Sequence, residues 1–436
     1  MFKMKRETRS ATPTVAVAVL LAIAGAAAPA RADEVSELKA AVAALQTRLD
    51  ALESKSKVVE ETNDRQSDQI AQTRSSIGSW VPNFTWKGDF RYRNETIEQD
   101  FVKDRNRDRI RVRAGFVAKV NDTVKVEVGL STAEAGDPRS PNQTLTGENV
   151  RKPVYVDLAY AEWQPAADWK FTAGKMKYPW YRGGQSVFFD GDINPEGLAV
   201  NFNHGDFFGS AFYNILEERA AAGESTMAGG QFGWRPTIGS GRLTLGASFF
   251  ALNSVKGRNT FFTLPNGSNG NTTTSVAANC LTATPCLVND YDEVEAFAEW
   301  SMPLFGHPLA LYADYMQNVA ADVNTITGSK LDTAYSLGFL YGRAADPRTW
   351  EFGYYYQVVE KDALFGQYID SDWGAGNTDA EGSVIKFGYA FAKNFTFNGW
   401  YHFANTNVDV PVAISGVGTI YKRDYQRLQL DLNFKF

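Results

Sequence analysis

The sequence predicts an all-β protein, a transmembrane antiparallel up-and-down β-barrel of about 16 strands, preceded by an N-terminal α-helical coiled coil. Three observations predict it. Residues alternate between apolar and polar in segment after segment, the connections between segments alternate short and long, and the last segment alternates up to a terminal aromatic residue. That segment, Tyr425 to Phe436, sets the pattern. Leu428, Leu430, Leu432, Phe434 and Phe436 share one parity, and Arg427, Gln429, Asp431, Asn433 and Lys435 share the other. Side chains alternate across a strand, so one face is apolar and the other polar. Strands of about 9 to 11 residues with one face toward lipid and one toward water build outer-membrane barrels. The edge of a soluble β-sandwich is the alternative for this segment taken alone.

At the N-terminus, Lys3, Lys5, Arg6 and Arg9 precede an apolar run from Val15 to Ala28, and Ala30-Arg31-Ala32 has the small-x-small cleavage pattern. Residues 1–32 read as a secretory signal peptide with Asp33 as the mature N-terminus, against the alternative of an uncleaved anchor. Removing them takes five basic residues and Glu7 from totals of 44 and 50, leaving 39 basic and 49 acidic residues, a net charge of −10. Such a chain is a poor binder of nucleic acid. Aromatic residues at 13% and 37 glycines suit a barrel, and a mean hydropathy of −0.31 argues against a helical membrane protein. No later segment offers about 18 consecutive apolar residues, so membrane spanning falls to strands.

Val35, Leu38, Val42, Leu45, Leu49 and Leu52 recur at three-four spacing between Lys39, Arg48, Asp50 and Glu53, a heptad seam with charged flanks. It weakens through Val59, Ile70 and Ile77 and ends at Gly78, with Pro82 marking the transition to strands. Residues 33–79 are read as a parallel periplasmic coiled coil, the alternative being a single helix lying on a neighbour, and residues 80–436 as the barrel.

From Phe84, the residues Phe84, Trp86, Phe90 and Tyr92 oppose Lys87, Asp89, Arg91 and Arg93. Next, Ile110, Val112, Ala114, Phe116, Ala118 and Val120 oppose Arg107, Arg109, Arg111, Arg113 and Lys119. The same test finds candidates near residues 123–132, 153–163, 168–177, 197–204, 206–216, 226–236, 241–252, 291–302, 308–318, 331–343, 348–359, 381–392 and 394–404. With the last segment they make 16. Short turns at Asn121-Asp122, Pro165 to Ala167, His204 to Asp206, Thr237 to Gly241, Pro303 to Pro308, Ala344 to Pro347 and Ala392 to Asn394 alternate with long connections without exception. Short periplasmic turns and long outer loops are a barrel's signature, and they put both ends of the barrel in the periplasm.

The helix, the alternating strands, the terminal Phe436 and the phrases Arg107-Asp108-Arg109-Ile110-Arg111, Gly174-Lys175-Met176 and Phe188-Phe189-Asp190-Gly191-Asp192 together resemble bacterial outer-membrane porins, most nearly those with an N-terminal periplasmic coiled coil. The resemblance covers the mature chain and lies in the order of its parts. It implies a homotrimer of pores, a third outer loop that folds inward, and a terminal aromatic read by the barrel-assembly machinery. The expected function is a water-filled channel for passive diffusion of small hydrophilic solutes and ions. A cell-wall tether with a largely closed barrel and a barrel hydrolase are the alternatives. Expected partners are the lipid bilayer with its lipopolysaccharide, two further copies, small polar solutes or ions and, through the helix, peptidoglycan.

Neither cofactor nor metal is expected: His204, His307 and His402 stand in separate turns or strands, without metal spacing or a Ser-His-Asp order. Parity places Lys87, Arg91, Arg93, Arg107, Arg109, Arg111 and Arg113 in the lumen as a basic wall, joined at closure by Arg427 and Lys435. Glu293, Glu295 and Glu299 on the tenth strand form an acidic wall opposite. Facing walls impose a transverse field; alternatively these charges pair with cross-strand neighbours such as Asp89 or Glu95. Cys280 and Cys286, in the longest loop, read as a disulfide in an exported protein or else as two thiols. The third long connection, Tyr178 to Glu196, resembles the inward loop of porins. Its Arg182, Asp190, Asp192 and Glu196 then form the constriction, with the acidic tip facing Arg109, Arg111 and Arg113. The alternative for it is an outer loop at a subunit contact.

Overall fold

A computed structural model describes residues 32–76, 83–134, 137–184, 186, 188–220, 223–259 and 267–436. The signal-peptide run before Ala32 and the breakers Gly78 and Pro82 lie outside the described residues. The chain divides into two units, residues 1–81 and 82–436.

In the first unit, helix α1 spans Ala32–Ser76. Its 45 residues correspond to about 68 Å of rise. Alanine, leucine and glutamate favour the helix, and Thr47, Thr62 and Ser67 return their hydroxyls to carbonyls four residues earlier, leaving no competing donor. The seam residues Val42, Leu45, Leu49 and Leu52 are all exposed on this helix, Leu52 by 64%.

The second unit is a closed antiparallel barrel of 16 strands: β1 Phe84–Gln99, β2 Val102–Lys119, β3 Val124–Thr132, β4 Val154–Ala166, β5 Trp169–Lys175, β6 Glu196–His204, β7 Phe207–Glu217, β8 Ser225–Trp234, β9 Gly241–Asn253, β10 Tyr291–Leu304, β11 His307–Asn318, β12 Thr333–Gly342, β13 Trp350–Val359, β14 Ala380–Ala392, β15 Phe395–Thr406 and β16 Arg423–Lys435. Each strand pairs with its sequence neighbours, and β16 closes the ring on β1 from Asp89↔Lys435 to Gln99↔Tyr425. Closure removes the unpaired edge that lipid would not tolerate. Aromatic side chains gather beside the short turns, as in the ring pairs Trp169–Phe202 at 5.0 Å, Tyr341–Trp350 at 5.7 Å and Phe395–Phe434 at 4.5 Å. Amphipathic rings belong at that depth, where hydrocarbon gives way to headgroups.

The seam is finished by the last residue. Phe436 exchanges backbone hydrogen bonds with Gly88 at 2.9 and 3.0 Å, and its ring lies where a side chain at position 88 would stand, 2.4 Å from an ideal Cβ. Gly88→Ala is therefore expected to displace the terminal ring and destabilise the closed barrel by about 1–3 kcal/mol, the usual cost of overpacking. Semi-native gels would record it as a lower temperature for loss of the compact, fast-migrating form.

The alternation of short and long connections fails at one place. β1 and β2 run for 16 and 18 residues and meet in the tight turn Asp100-Phe101, with Phe101 left-handed at φ 62°. The ladder continues there although the apolar period has stopped. The outward positions carry Asn94, Thr96, Asn106 and Asp108, which hydrogen-bond one another and the hydroxyl of Tyr92 at 2.9 Å. A strand pair polar on both faces leaves no hydrophobic periodicity to read.

Candidate functional site

The candidate site is the lumen, and two loops enter it. The inner loop, residues 176–195, packs its aromatic residues on the inward faces of β7 and β9: Trp180 meets Phe212 at 4.5 Å and Phe250 at 5.2 Å, and Phe189 meets Phe250 at 5.0 Å. Gly184, at φ +59°, lies against Tyr312 of β11, where a Cβ would fall 2.1 Å from the ring. Only glycine combines that backbone conformation with so close an approach. The loop then returns to the opposite side, where Asp192 meets Arg113 of β2 at 2.5 Å.

A second inward segment, the strap of residues 360–379, was not expected from the sequence. Leu364, Phe365, Ile369 and Trp373 are buried, and Tyr368 of the strap approaches Phe189 of the inner loop with ring centroids 6.4 Å apart. The strap begins on β10, where the Phe365 amide donates to Glu293 at 2.6 Å. Its tip is anchored at Asp372, which binds Arg93 of β1 at 3.0 Å and Arg427 of β16 at 2.8 Å. Its signal was an outer loop too apolar to stay in water, together with Asp370-Ser371-Asp372-Trp373-Gly374, a chemistry close to the inner loop's Phe189-Asp190-Gly191-Asp192.

The arginines face inward but do not form a bare wall. Register sets Arg91 opposite Arg111 and Arg93 opposite Arg109, like charges that repel unless carboxylates lie between them. Asp89 binds Arg111 at 2.6 Å, and Asp431 takes Arg93 through both oxygens at 2.7 and 2.8 Å. Glu95 receives Arg107, Arg427 at 2.6 Å and Arg109 at 3.5 Å. Lys87 pairs with Glu127 at 2.5 Å. The cross-strand pairing weighed as the alternative is what this side of the lumen displays.

The acidic wall needs correction. Glu293 and Glu295 are 2% and 1% exposed. Glu293 is capped by the strap amide, Glu295 accepts the Ser248 hydroxyl, and Glu299 accepts the Tyr181 hydroxyl of the inner loop at 2.9 Å. The strap supplies the donor to Glu293, the inner loop the donor to Glu299 and β9 the donor to Glu295, so this side is covered rather than open. Two constriction residues also shift. Glu196 lies at the start of β6, 62% exposed on its side chain and paired with Lys175 at 2.8 Å. Asp190 turns from the arginines to the strap, accepting the Ser371 amide at 2.9 Å while its own amide donates to Tyr368 at 2.7 Å. Arg182 donates to the Phe189 carbonyl at 2.7 Å and holds the loop's turn.

Beside the strap lies a cavity of about 460 Å³ lined by Arg91, Arg182, Tyr355, Asp370, Trp400 and His402 among others. Charge on the two loops is divided. Burial, with Asp370 and Asp192 nearby, pushes the Asp190 carboxyl well above the usual range. Burial opposes ionisation at Asp192 too, but Arg113, Arg91 and Arg111 outweigh it and hold the group low. Burial and Asp372 raise Asp370 to about 6. A carboxyl raised on folding favours the docked strap most below its unfolded value, near 4, and that contribution fades as pH rises through about 6. Lowering the pH from about 7 to about 5 neutralises Asp370, so zero-current potentials are expected to move toward anion preference, and Asp370→Asn is expected to reduce this shift.

Cys280 and Cys286 of the 254–290 loop lie with their sulfurs 2.10 Å apart, Cys286 buried in a short ladder with Thr274. His204 sits at a short turn against Asp168, His307 packs by Trp350 and His402 faces the lumen. Among the described residues no three His, Cys, Asp or Glu side chains gather as a metal site.

Residues 97–217 and 245–436 match the family described as "Putative porin". Among solved structures, OprB of Pseudomonas putida, in its high-pH form, is similar with a TM-score of 0.51 at 10% identity, covering 84% of this chain and 97% of that one. OmpF of Salmonella typhi in complex with daunomycin aligns at 0.47 and 11% identity, covering 81% and 97%. A loop L8 deletion mutant of OmpT, an outer membrane protein of Vibrio cholerae, aligns at 0.46 and 14%, covering 81% and 100%. The OprB likeness shows the barrel fold. No protein of curated function matches the chain.

Proposed function

This chain belongs to the putative porin family and is a protein of the bacterial outer membrane, and from that premise we propose that it forms a water-filled channel for passive diffusion of small hydrophilic solutes and ions. One observation carries the reading: the barrel is apolar outside and charged inside, and the inner loop and strap leave an ionised cavity beside the arginine-bearing strands. The Asp192–Arg113 pair on one side and the cavity's Arg91 and Arg93 set the preference among ions. A barrel conducting in this way needs no catalytic group. Proteoliposomes containing the protein are expected to swell in isosmotic small sugars faster than empty ones, the rate falling with solute size. Swelling no faster than empty vesicles would overturn the reading.

The proposed mature protein has a helical segment, residues 33–79, and a barrel, residues 80–436, with the short turns and the helix in the periplasm. The exposed leucine seam of α1 supports a parallel trimeric coil, because one such stripe needs partner helices to leave water. Deleting Asp33 to Ile77 is expected to lower the temperature at which the trimer dissociates on semi-native gels while each barrel stays folded. An unchanged trimer band would remove the coil from assembly.

A further inference from the structure

The cavity beside the strap contains one guanidinium without an ion pair among the described residues, Arg182, and a second, Arg91, held by a carboxylate only at 3.6 Å. We propose that it is a binding site for a small aromatic carboxylate passing through the lumen, an inference that rests on the channel reading and adds a solute class to it. Arg93 engages both oxygens of Asp431 and shares Asp372 with Arg427. Arg91 reaches Asp431 only at 3.6 Å, donates to Asn142 at 2.8 Å, and leaves its Nε without a partner. Arg182 spends one nitrogen on the Phe189 carbonyl and lies 5.4 Å from the Tyr178 ring centroid, and among the described residues it makes no ion pair. His402, 3% exposed, lines the same space beside Gln429. Buried donors left unmet in a cavity are groups a ligand can satisfy.

The chemistry selects the ligand. A guanidinium presents a planar fork of N–H donors that matches a carboxylate, and Arg182, beside the loosely paired Arg91, selects an anion over a neutral or cationic analogue. Arg91, Arg93 and Arg182 line the cavity with Asp370 and Asp372, Asp431 answers Arg93, and Arg182 is the guanidinium left for a monoanion. Tyr181, Tyr355 and Trp400 line the same space and offer ring surface to a flat apolar body. Its volume of about 460 Å³ is that of a small-molecule site.

Benzoate, benzyl alcohol and benzylamine are the probes. Calorimetry on the full protein folded in detergent is expected to show saturable binding of benzoate and none of the other two. Arg91→Gln with Arg182→Gln is expected to weaken benzoate at least about tenfold, the scale of a lost charge-assisted hydrogen bond. Arg182→Lys, which keeps the charge, is expected to retain part of the affinity, and Lys256→Gln, on an outer loop against Asp322, all of it. Compact migration on unheated gels identifies the variants that fold. In planar bilayers, benzoate is expected to interrupt the current of the wild-type channel and not of the double variant. Absent benzoate binding, equal binding of benzyl alcohol, or unchanged affinity in the folded double variant would overturn the site while leaving a conducting channel intact. Benzoate binding without any conductance would uphold the site and end the channel reading instead.

Discussion

Replacing residues 366–376 with a short glycine-serine linker is expected to raise single-channel conductance at least about twofold, because the narrowest segment dominates the resistance of a pore. The strap carries Ile369 and Trp373 into the lumen and anchors its tip on Arg93 and Arg427. The barrel is expected to survive the replacement, since its strands satisfy their backbone groups in their own ladders. Arg93 keeps Asp431 and Arg427 keeps Glu95, so neither guanidinium is left without a carboxylate. A folded variant with wild-type conductance would place the strap outside the conduction path.

The second large effect is on selectivity. Changing Arg109, Arg111 and Arg113 together to glutamine leaves Asp89, Glu95 and Asp192 facing the passage with fewer partners. A unit charge about 8 Å from a passing ion contributes roughly 0.5 kcal/mol in a water-like dielectric, and with opposite sign for cations and anions, so removing three is expected to shift the cation-to-anion permeability ratio at least about tenfold toward cations. Asp192→Asn is expected to shift it the other way. Zero-current potentials in a salt gradient read both changes, best near 10 mM salt, where the screening length is about 30 Å. Equal potentials in wild type and both variants would separate these residues from the ion path.

The barrel was legible because its physics is local: each strand has a lipid face and a water face, and residues two apart report it. Fourteen of the fifteen connections are ordered by that alternation, and the β1–β2 hairpin escaped because Asn94, Thr96, Asn106 and Asp108 are polar on the outward side. The lumen was legible only by parity. Parity aimed the arginines and Glu293, Glu295 and Glu299 inward, but it carries no information about what covers them. The partners that decide the electrostatics come from far along the chain: Asp192 reaches Arg113 across 79 residues, and Asp372 reaches Arg93 across 279. Such contacts depend on how two loops fold inside a closed ring, which no strand periodicity encodes. The strap was hidden for the same reason, its buried Trp373 and Ile369 reading as part of one more outer connection.

The central claim is that this barrel conducts, and a planar-bilayer recording of the purified, unmodified full-length protein tests it most directly. The account predicts stepwise current increments that are ohmic at low voltage, with a zero-current potential in a salt gradient that shifts toward anions as the pH falls through about 6. A membrane that stays at its bare resistance after insertion of correctly folded, heat-modifiable protein would contradict it.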